Sequence, residues 1–210
     1  GLKGLGVSID GPQEMHDRLR GVSGSYQQAI DLLDWCKDNG LSSSVNTQIT
    51  LPVIGELWNL AEIFVNHGVK YWQVQLTVPM GNAADNDQLI LQPFDLLQLM
   101  PILADLCKWG REKDLVLLAG NNIGYFGPFE VLFRGPDRSS GYYSGCSAGK
   151  NSLGIEADGT VKTCPSLPRA RYGGGNVREI SLEEIWTVSD AMNAARGYGA
   201  HQLWGYCATC

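Results

Sequence analysis

Residues 43–78 read SSVNTQITLPVIGELWNLAEIFVNHGVKYWQVQLTV, a strand, a helix and a second strand in that order. Residues 43–50 alternate along the chain with the period of two that a strand requires. Leu57, Leu60, Ala61, Phe64 and Val65 then recur at helical spacing over 55–67, and His67-Gly68 closes that helix. Residues 70–78, KYWQVQLTV, return to strand character. Short joints between such elements call for parallel strands bridged by right-handed crossovers.

The same alternation extends outward on both sides. LGVSI at 5–9 predicts a buried strand reaching residue 10, followed by the turn Asp10-Gly11-Pro12 and a polar loop over 13–24. Ser25 is placed to cap a helix carrying Tyr26, Ala29, Ile30, Leu33, Cys36 and Lys37, with Asn39-Gly40 at its end. A third helix is expected over 93–112, and LVLLA at 115–119 as a buried strand. The order β-α-β-α-β-α-β carries no GxGxxG at its first strand–helix turn. An α/β fold is therefore expected over 1–120, as a slice of an α/β barrel rather than a dinucleotide-binding Rossmann sheet. Beyond Gly120 the chain becomes rich in Gly, Pro, Ser and Arg, with one clear helix over 181–195. Residues 121–145 read as a linker and 146–210 as a small, loop-rich, cysteine-containing module. Gly173-Gly174-Gly175 is expected as a flexible turn.

Composition excludes several classes. The 210 residues are 44% hydrophobic and 18% charged, too apolar for a disordered chain. A net charge of -6 with no Lys/Arg stripe argues against a nucleic-acid partner. No run approaches the roughly 18 apolar residues of a transmembrane helix, so no membrane is expected either. GLKGLGVSID lacks the features of a secretory signal. A strand starts only four residues into the chain, and the chain stops on the second cysteine of a C-x-x-C pair, so an interior segment of a longer polypeptide is expected.

Polar residues sit at alternate positions of the strands. Asn46 and Gln48, then Gln73 and Gln75, repeat the pattern and are expected to line a cavity, since polar side chains inside a covered sheet need partners. Asp10 suits its turn, and His16-Asp17 is expected to organise the loop around it. Cys36 and Cys107 lie beside apolar neighbours on predicted helices and read as core. Cys146 and Cys164 bracket LGIEADGTVKT, a hairpin turning at Asp158-Gly159, while Cys207-Ala208-Thr209-Cys210 is a tight pair able to hold one metal centre. Disulfides are the weakest reading, because no secretion signal accompanies them. Zinc and an iron–sulfur cluster both use four thiolates, and spacing does not choose between them.

The order CSAGKNSLGIEADGTVKTCPSLP, then GGNVREISLEEIW, then CATC resembles the SPASM domain of radical S-adenosylmethionine (SAM) enzymes. That family opens with Cys, a spacer, Gly, four residues and Cys, matched here by Cys146, Gly159, TVKT and Cys164. VSIDGPQEMHDRLRG at 7–21 resembles the fourth-strand segment of the peptide-modifying members, and together the two likenesses cover nearly all of the chain. The family's C-x-x-x-C-x-x-C loop, which binds the SAM-cleaving cluster, occurs nowhere in the chain. It would precede residue 1, and further cysteines completing the auxiliary clusters would follow residue 210.

The resemblance implies the C-terminal part of a radical SAM partial barrel at 1–120 and an incomplete SPASM module at 146–210. Cys146 and Cys164 would ligate one auxiliary [4Fe–4S] cluster, and Cys207 and Cys210 a second. Ser8 and Arg20 match the positions that contact SAM and its carboxylate, and Asn46, Gln48 and Gln75 would line the same cofactor cavity. In a sulfatase-maturing branch an Asp follows the second hairpin cysteine as a base, and here that position is Pro165. The implied activity of the parent is oxidation or crosslinking of a side chain in a ribosomally made peptide or protein. A 5′-deoxyadenosyl radical would drive it and a flavodoxin or ferredoxin would supply electrons, in a reducing cytoplasm; the isolated chain would be inactive. The reading from another class is a non-catalytic, zinc-stabilised module that binds a peptide or partner.

Overall fold

The computed structural model describes residues 1–120, 122, 123, 127–134, 146–197 and 199–209, with every side chain among them except those of Ala200 and Cys207. The chain divides into two compact units, Gly1–Gly145 and Cys146–Cys210.

The first unit is built on four parallel strands, β1 (Gly4–Ser8), β2 (Ser42–Ile49), β3 (Tyr71–Leu76) and β4 (Val116–Ala119), which lie side by side in chain order. Helices α2 (Ser25–Asp38), α3 (Leu57–Asn66) and α4 (Leu96–Glu112) connect them, as a barrel wall requires. Their glycine ends also follow the sequence: Gly40 and Gly68 turn left-handed at φ 65° and 71°, and Leu41 and Val69 bond back to the carbonyls of Cys36 and Phe64.

Only one face of this sheet is sealed. Val45, Thr47 and Ile49 of β2 and Trp72 and Val74 of β3 are fully buried, joined in one apolar core by Leu33, Leu57, Leu60, Phe64, Leu99 and Leu103 from the helices. Phe64 meets Trp72 edge-to-face with centroids 5.1 Å apart. The alternate residues form the other face, where the register places Ser8 beside Asn46, Asn46 beside Gln73, and Gln48 beside Gln75. These polar residues are half-buried.

Several expectations change. The polar stretch expected as a loop contains the helix α1 (Gln13–Arg20), ended by a left-handed Gly21. Ser25 does not cap α2: Gly24 stands at that position, and the acceptors come from Asp17. The strands at 5–9 and 115–119 are not buried along their length, because both lie at sheet edges; Val116 and Leu118 are 41% and 40% exposed. Against the sequence expectation, residues 87–112 contain an 18-residue window with a mean hydropathy of 1.4, long and apolar enough to cross a membrane by length and composition. In the fold they form two short 3₁₀ turns and then α4, whose Leu99, Leu103, Leu106 and Cys107 pack into the core.

Of the segment expected as a linker, 121–145, the described residues pack into the first unit. Ile123 and Phe133 join its core, and a short helix α5 (Glu130–Arg134) carries a buried Glu130–Arg134 ion pair at 3.0 Å. Arg134 also donates to the carbonyls of Ala119, Gly120 and Ile123.

The second unit has an antiparallel sheet of β5 (Gly154–Ile155), β6 (Thr160–Lys162) and β7 (Gly173–Asn176), with α6 (Arg169–Tyr172), α7 (Leu182–Val188) and α8 (Asp190–Gly197). The β5–β6 hairpin turns at Asp158-Gly159 as read from sequence, Asp158 accepting the Thr160 amide at 2.9 Å. The expected single helix over 181–195 is two, divided at Ser189. The triple glycine is strand β7 rather than a flexible turn. A Cβ on Gly174 would lie 2.9 Å from Ser189 Oγ and 3.3 Å from Ile185, so glycine lets α7 pack directly on the strand.

Candidate functional site

Asp10 follows β1 and organises the C-terminal edge of the parallel sheet. Its backbone N–H donates to His16 Nδ1 at 3.0 Å, which leaves the ring proton of neutral His16 on Nε2. Its Oδ1 accepts the Gln48 amide at 2.8 Å, and its Oδ2 pairs with Arg20 at 2.5 Å. One turn residue therefore ties β1, β2 and α1 together. Burial is the main cause that pushes the His16 pKa down, ahead of the opposing field of Asp10. Asp17 faces the other way, accepting the amides of Gly24 and Tyr26 and the Ser25 hydroxyl. The bond from Tyr26, then that from Gly24, holds its carboxyl below the usual range.

Asp10 and Arg20 open onto a cleft of about 320 Å³, whose walls include Gln48, Thr50, Thr77 and Asn82. Thr50 is 3% exposed, and the hydroxyls of Thr50 and Thr77 are buried with no hydrogen-bond partner among the described residues. A buried hydroxyl left unpaired is costly, and this wall holds two of them. Thr77 is held by its neighbour: the Asn122 side chain accepts from the Leu76 amide and donates to the Leu76 carbonyl.

Of the residues expected around a cofactor, Arg20 and Gln48 line this cleft. Ser8, Asn46 and Gln75 stand on the same polar sheet face without lining it. Asp10 and Thr77 were not singled out as site residues by sequence reasoning, and Thr50 only as the position beyond Asn46 and Gln48 in the polar alternation. The polar alternation of β2 continued to Thr50 was the available signal. An arginine, a carboxylate and unpaired hydroxyls suit a zwitterionic, hydroxyl-bearing ligand such as SAM.

In the second unit Cys146 lies on the wall of a cavity of about 670 Å³ with Ala148, Lys150, Thr163, Leu167, Arg171, Tyr172, and the alanines of α8. The Ala148 amide donates to Cys146 Sγ at 3.4 Å. Cys164 is half-buried and follows Thr163, and neither cysteine is in a disulfide. A thiol with an amide donor, two nearby cations and a floor of small side chains fit an anionic iron–sulfur cluster. No cluster of three or more His, Cys, Asp or Glu occurs among the described residues. The Cys207 side chain and Cys210 lie outside the described residues. Cys36 and Cys107 are core thiols, and burial pushes the Cys107 pKa up.

The first unit is a parallel α/β sheet with a polar face and a cleft at its C-terminal edge, and the second unit carries two thiols among its described side chains. Residues 146–210 match the family model of SPASM, the iron-sulfur cluster-binding domain. The match covers the second unit, and the proteins this chain is similar to include SAM-dependent ones. It is 29% identical over 93% of its length to AdoMet-dependent heme synthase of Oleidesulfovibrio alaskensis, covering 51% of that protein. It is 25% identical over 94% of its length to PqqA peptide cyclase of Rhizobium meliloti, covering 50%. Streptococcus suis SuiB bound to S-adenosylmethionine shares the fold, with a TM-score of 0.65 at 17% identity over 92% of this chain and 44% of that one. The chain thus spans about half the length of the curated relatives it matches.

Proposed function

We propose that the complete protein is a radical SAM/SPASM oxidoreductase that takes SAM at the cleft of Asp10, Arg20, Gln48, Thr50 and Thr77. In this reading 1–120 is the later part of a partial barrel, 121–145 leads to the SPASM module, and the loop binding the SAM-cleaving cluster lies outside the chain. The observation that carries it is the pair of buried, unpartnered threonine hydroxyls beside the Arg20–Asp10 ion pair.

Bound SAM, reductively cleaved, supplies the one-electron chemistry; the chain's residues bind, orient and shield. Arg20, held by Asp10, offers its remaining N–H groups to a carboxylate, and Thr50 and Thr77 offer hydroxyls that have no competing bond to break. Gln48 is fixed through its own amide, while Ser8, Asn46 and Gln75 form the polar wall against which the rest of the ligand or substrate lies. Cys146 with Cys164, and Cys207 with Cys210, would contribute thiolates to auxiliary [4Fe–4S] clusters, which would supply an acceptor for the electron of the product radical or support substrate binding. The substrate is a side chain of a ribosomally made peptide or protein, oxidised or crosslinked, with a flavodoxin or ferredoxin as electron donor and the cytoplasm as compartment. The similarity to a peptide cyclase supports that substrate class. A tetrapyrrole side chain is the second reading, favoured by the higher identity to a heme synthase.

Anaerobic reconstitution of the full-length protein with iron and sulfide tests the class, and a substrate panel tests the choice. SAM cleavage that produces methionine is expected. Turnover of peptides alone supports the first substrate reading, and turnover of iron porphyrins alone replaces it with the second. Stoichiometric zinc that iron cannot displace, with no SAM binding by calorimetry, would overturn both in favour of a non-catalytic binding module.

A further inference from the structure

We propose that Lys162 is a positioning residue for Cys164, holding the turn that carries this thiol in the shape a cluster ligand needs; the inference rests on the reading of 146–210 as cluster-binding. Lys162 ends β6, and its side chain is 5% exposed. An ammonium buried this far is tolerated only when paired and hydrogen-bonded. Its Nζ meets Glu156 Oε1 at 2.6 Å and donates to the carbonyls of Pro165 at 2.8 Å and Leu167 at 2.9 Å. All three ammonium donors are thereby used, two of them on the turn that follows Cys164.

That turn is closed from within by the Leu167 amide, which donates to the Cys164 carbonyl at 3.2 Å. It is also seated against the hairpin. Lys162 stands opposite Gly154 on β5, where a Cβ would lie 2.6 Å from Pro165 Cγ, so the turn folds back through space that only glycine leaves. Thr163 and Leu167, on either side of Cys164, line the cavity that Cys146 also lines. Lys162 thus anchors the thiol-bearing turn at the edge of the cavity, and its charge lies within the loop that meets an anionic cluster. A lysine serving only the hairpin would bridge β5 and β6; this one reaches past the strand to the residues after the cysteine.

The test compares Lys162→Met, Lys162→Gln, Val161→Ala and Cys164→Ser in the full-length protein, by iron and sulfide content, EPR of the reduced clusters, cluster potential and thermal unfolding. Lys162→Met is expected to lose most of the iron and EPR signal that Cys164→Ser loses. Val161→Ala, which loosens the core of the same unit without touching the turn, is expected to keep them. Any cluster retained in Lys162→Gln is expected at a more negative potential, since a buried positive charge is gone. Should Lys162→Met fail to fold, the iron content and potential of Lys162→Gln decide. Unchanged iron and potential on replacing Lys162 would overturn the proposal, as would equal iron loss in Val161→Ala. Full iron retention in Cys164→Ser would instead sink the cluster reading beneath it.

Discussion

Thr50 and Thr47 are three residues apart on the same run of chain, and their hydroxyls have opposite circumstances. Thr47 Oγ1 donates to the Ile9 carbonyl at 2.7 Å and accepts Trp72 Nε1–H at 2.9 Å, so three strands share one buried hydroxyl. Thr47→Val keeps the shape but strands the indole N–H, and it is expected to destabilise the protein by about 1–3 kcal/mol in urea unfolding. The Thr50 hydroxyl has no hydrogen-bond partner among the described residues. Thr50→Val should therefore leave the ligand-free protein at least as stable while weakening SAM binding by about 0.5–1.5 kcal/mol in calorimetry. A loss of stability with unchanged SAM affinity would make Thr50 structural. His16 and Asp17, adjacent in sequence, likewise serve different ends, one holding the Asp10 backbone and the other capping α2.

At the scale of elements, the misread segments are those whose partners lie far along the chain. QEMHDRLR at 13–20 shows little apolar periodicity, yet it is helical because Arg20 and His16 are both held by Asp10. GGG at 173–175 has no side chains to announce a strand, and only the helices packed on it reveal why glycine is there. Gly149 makes the same point beside Cys146. It sits at φ 72°, and a Cβ there would lie 2.5 Å from that of Ala195 on α8. Gly149→Ala is expected to cost about 1–3 kcal/mol in unfolding of the second unit and to lower its iron content. The described part of 121–145 fits the same pattern, since Arg134, paired with Glu130, donates to the β4 carbonyl of Ala119, 15 residues away in sequence.

At the scale of the whole molecule, the acid response follows from two groups in the first unit. His16 has a pKa lowered from 6.5, so the unfolded chain takes up its proton first and stability falls as pH drops below about 6.5. Asp17 is lowered from 3.8, so its contribution is present above that value and disappears as pH falls through its folded pKa. Urea midpoints measured against pH should decline in two steps, with His16→Gln flattening the upper and Asp17→Asn the lower. A midpoint independent of pH between neutrality and pH 4 would contradict the buried, neutral imidazole. The order of the sheet, by contrast, was legible beforehand, because each strand pairs with the next one along the chain.

The sequence by itself determined the alternation of strands and helices over 1–120 and the hairpin between Cys146 and Cys164, because periodicity and spacing are local properties; the chemistry of those thiols was implied only by a resemblance. Arg20 and Gln48, expected near a cofactor through a resemblance and through alternation along β2, line one cleft. Only the tertiary structure decided that Asp10 reaches the Gln48 amide 38 residues on, that Thr50 and Thr77 line one cleft with hydroxyls unpartnered among the described residues, and that Lys162 bonds to the turn after Cys164. The physical reason is that a buried polar group is satisfied by whatever the fold brings within about 3 Å, and that neighbour is rarely near it in sequence.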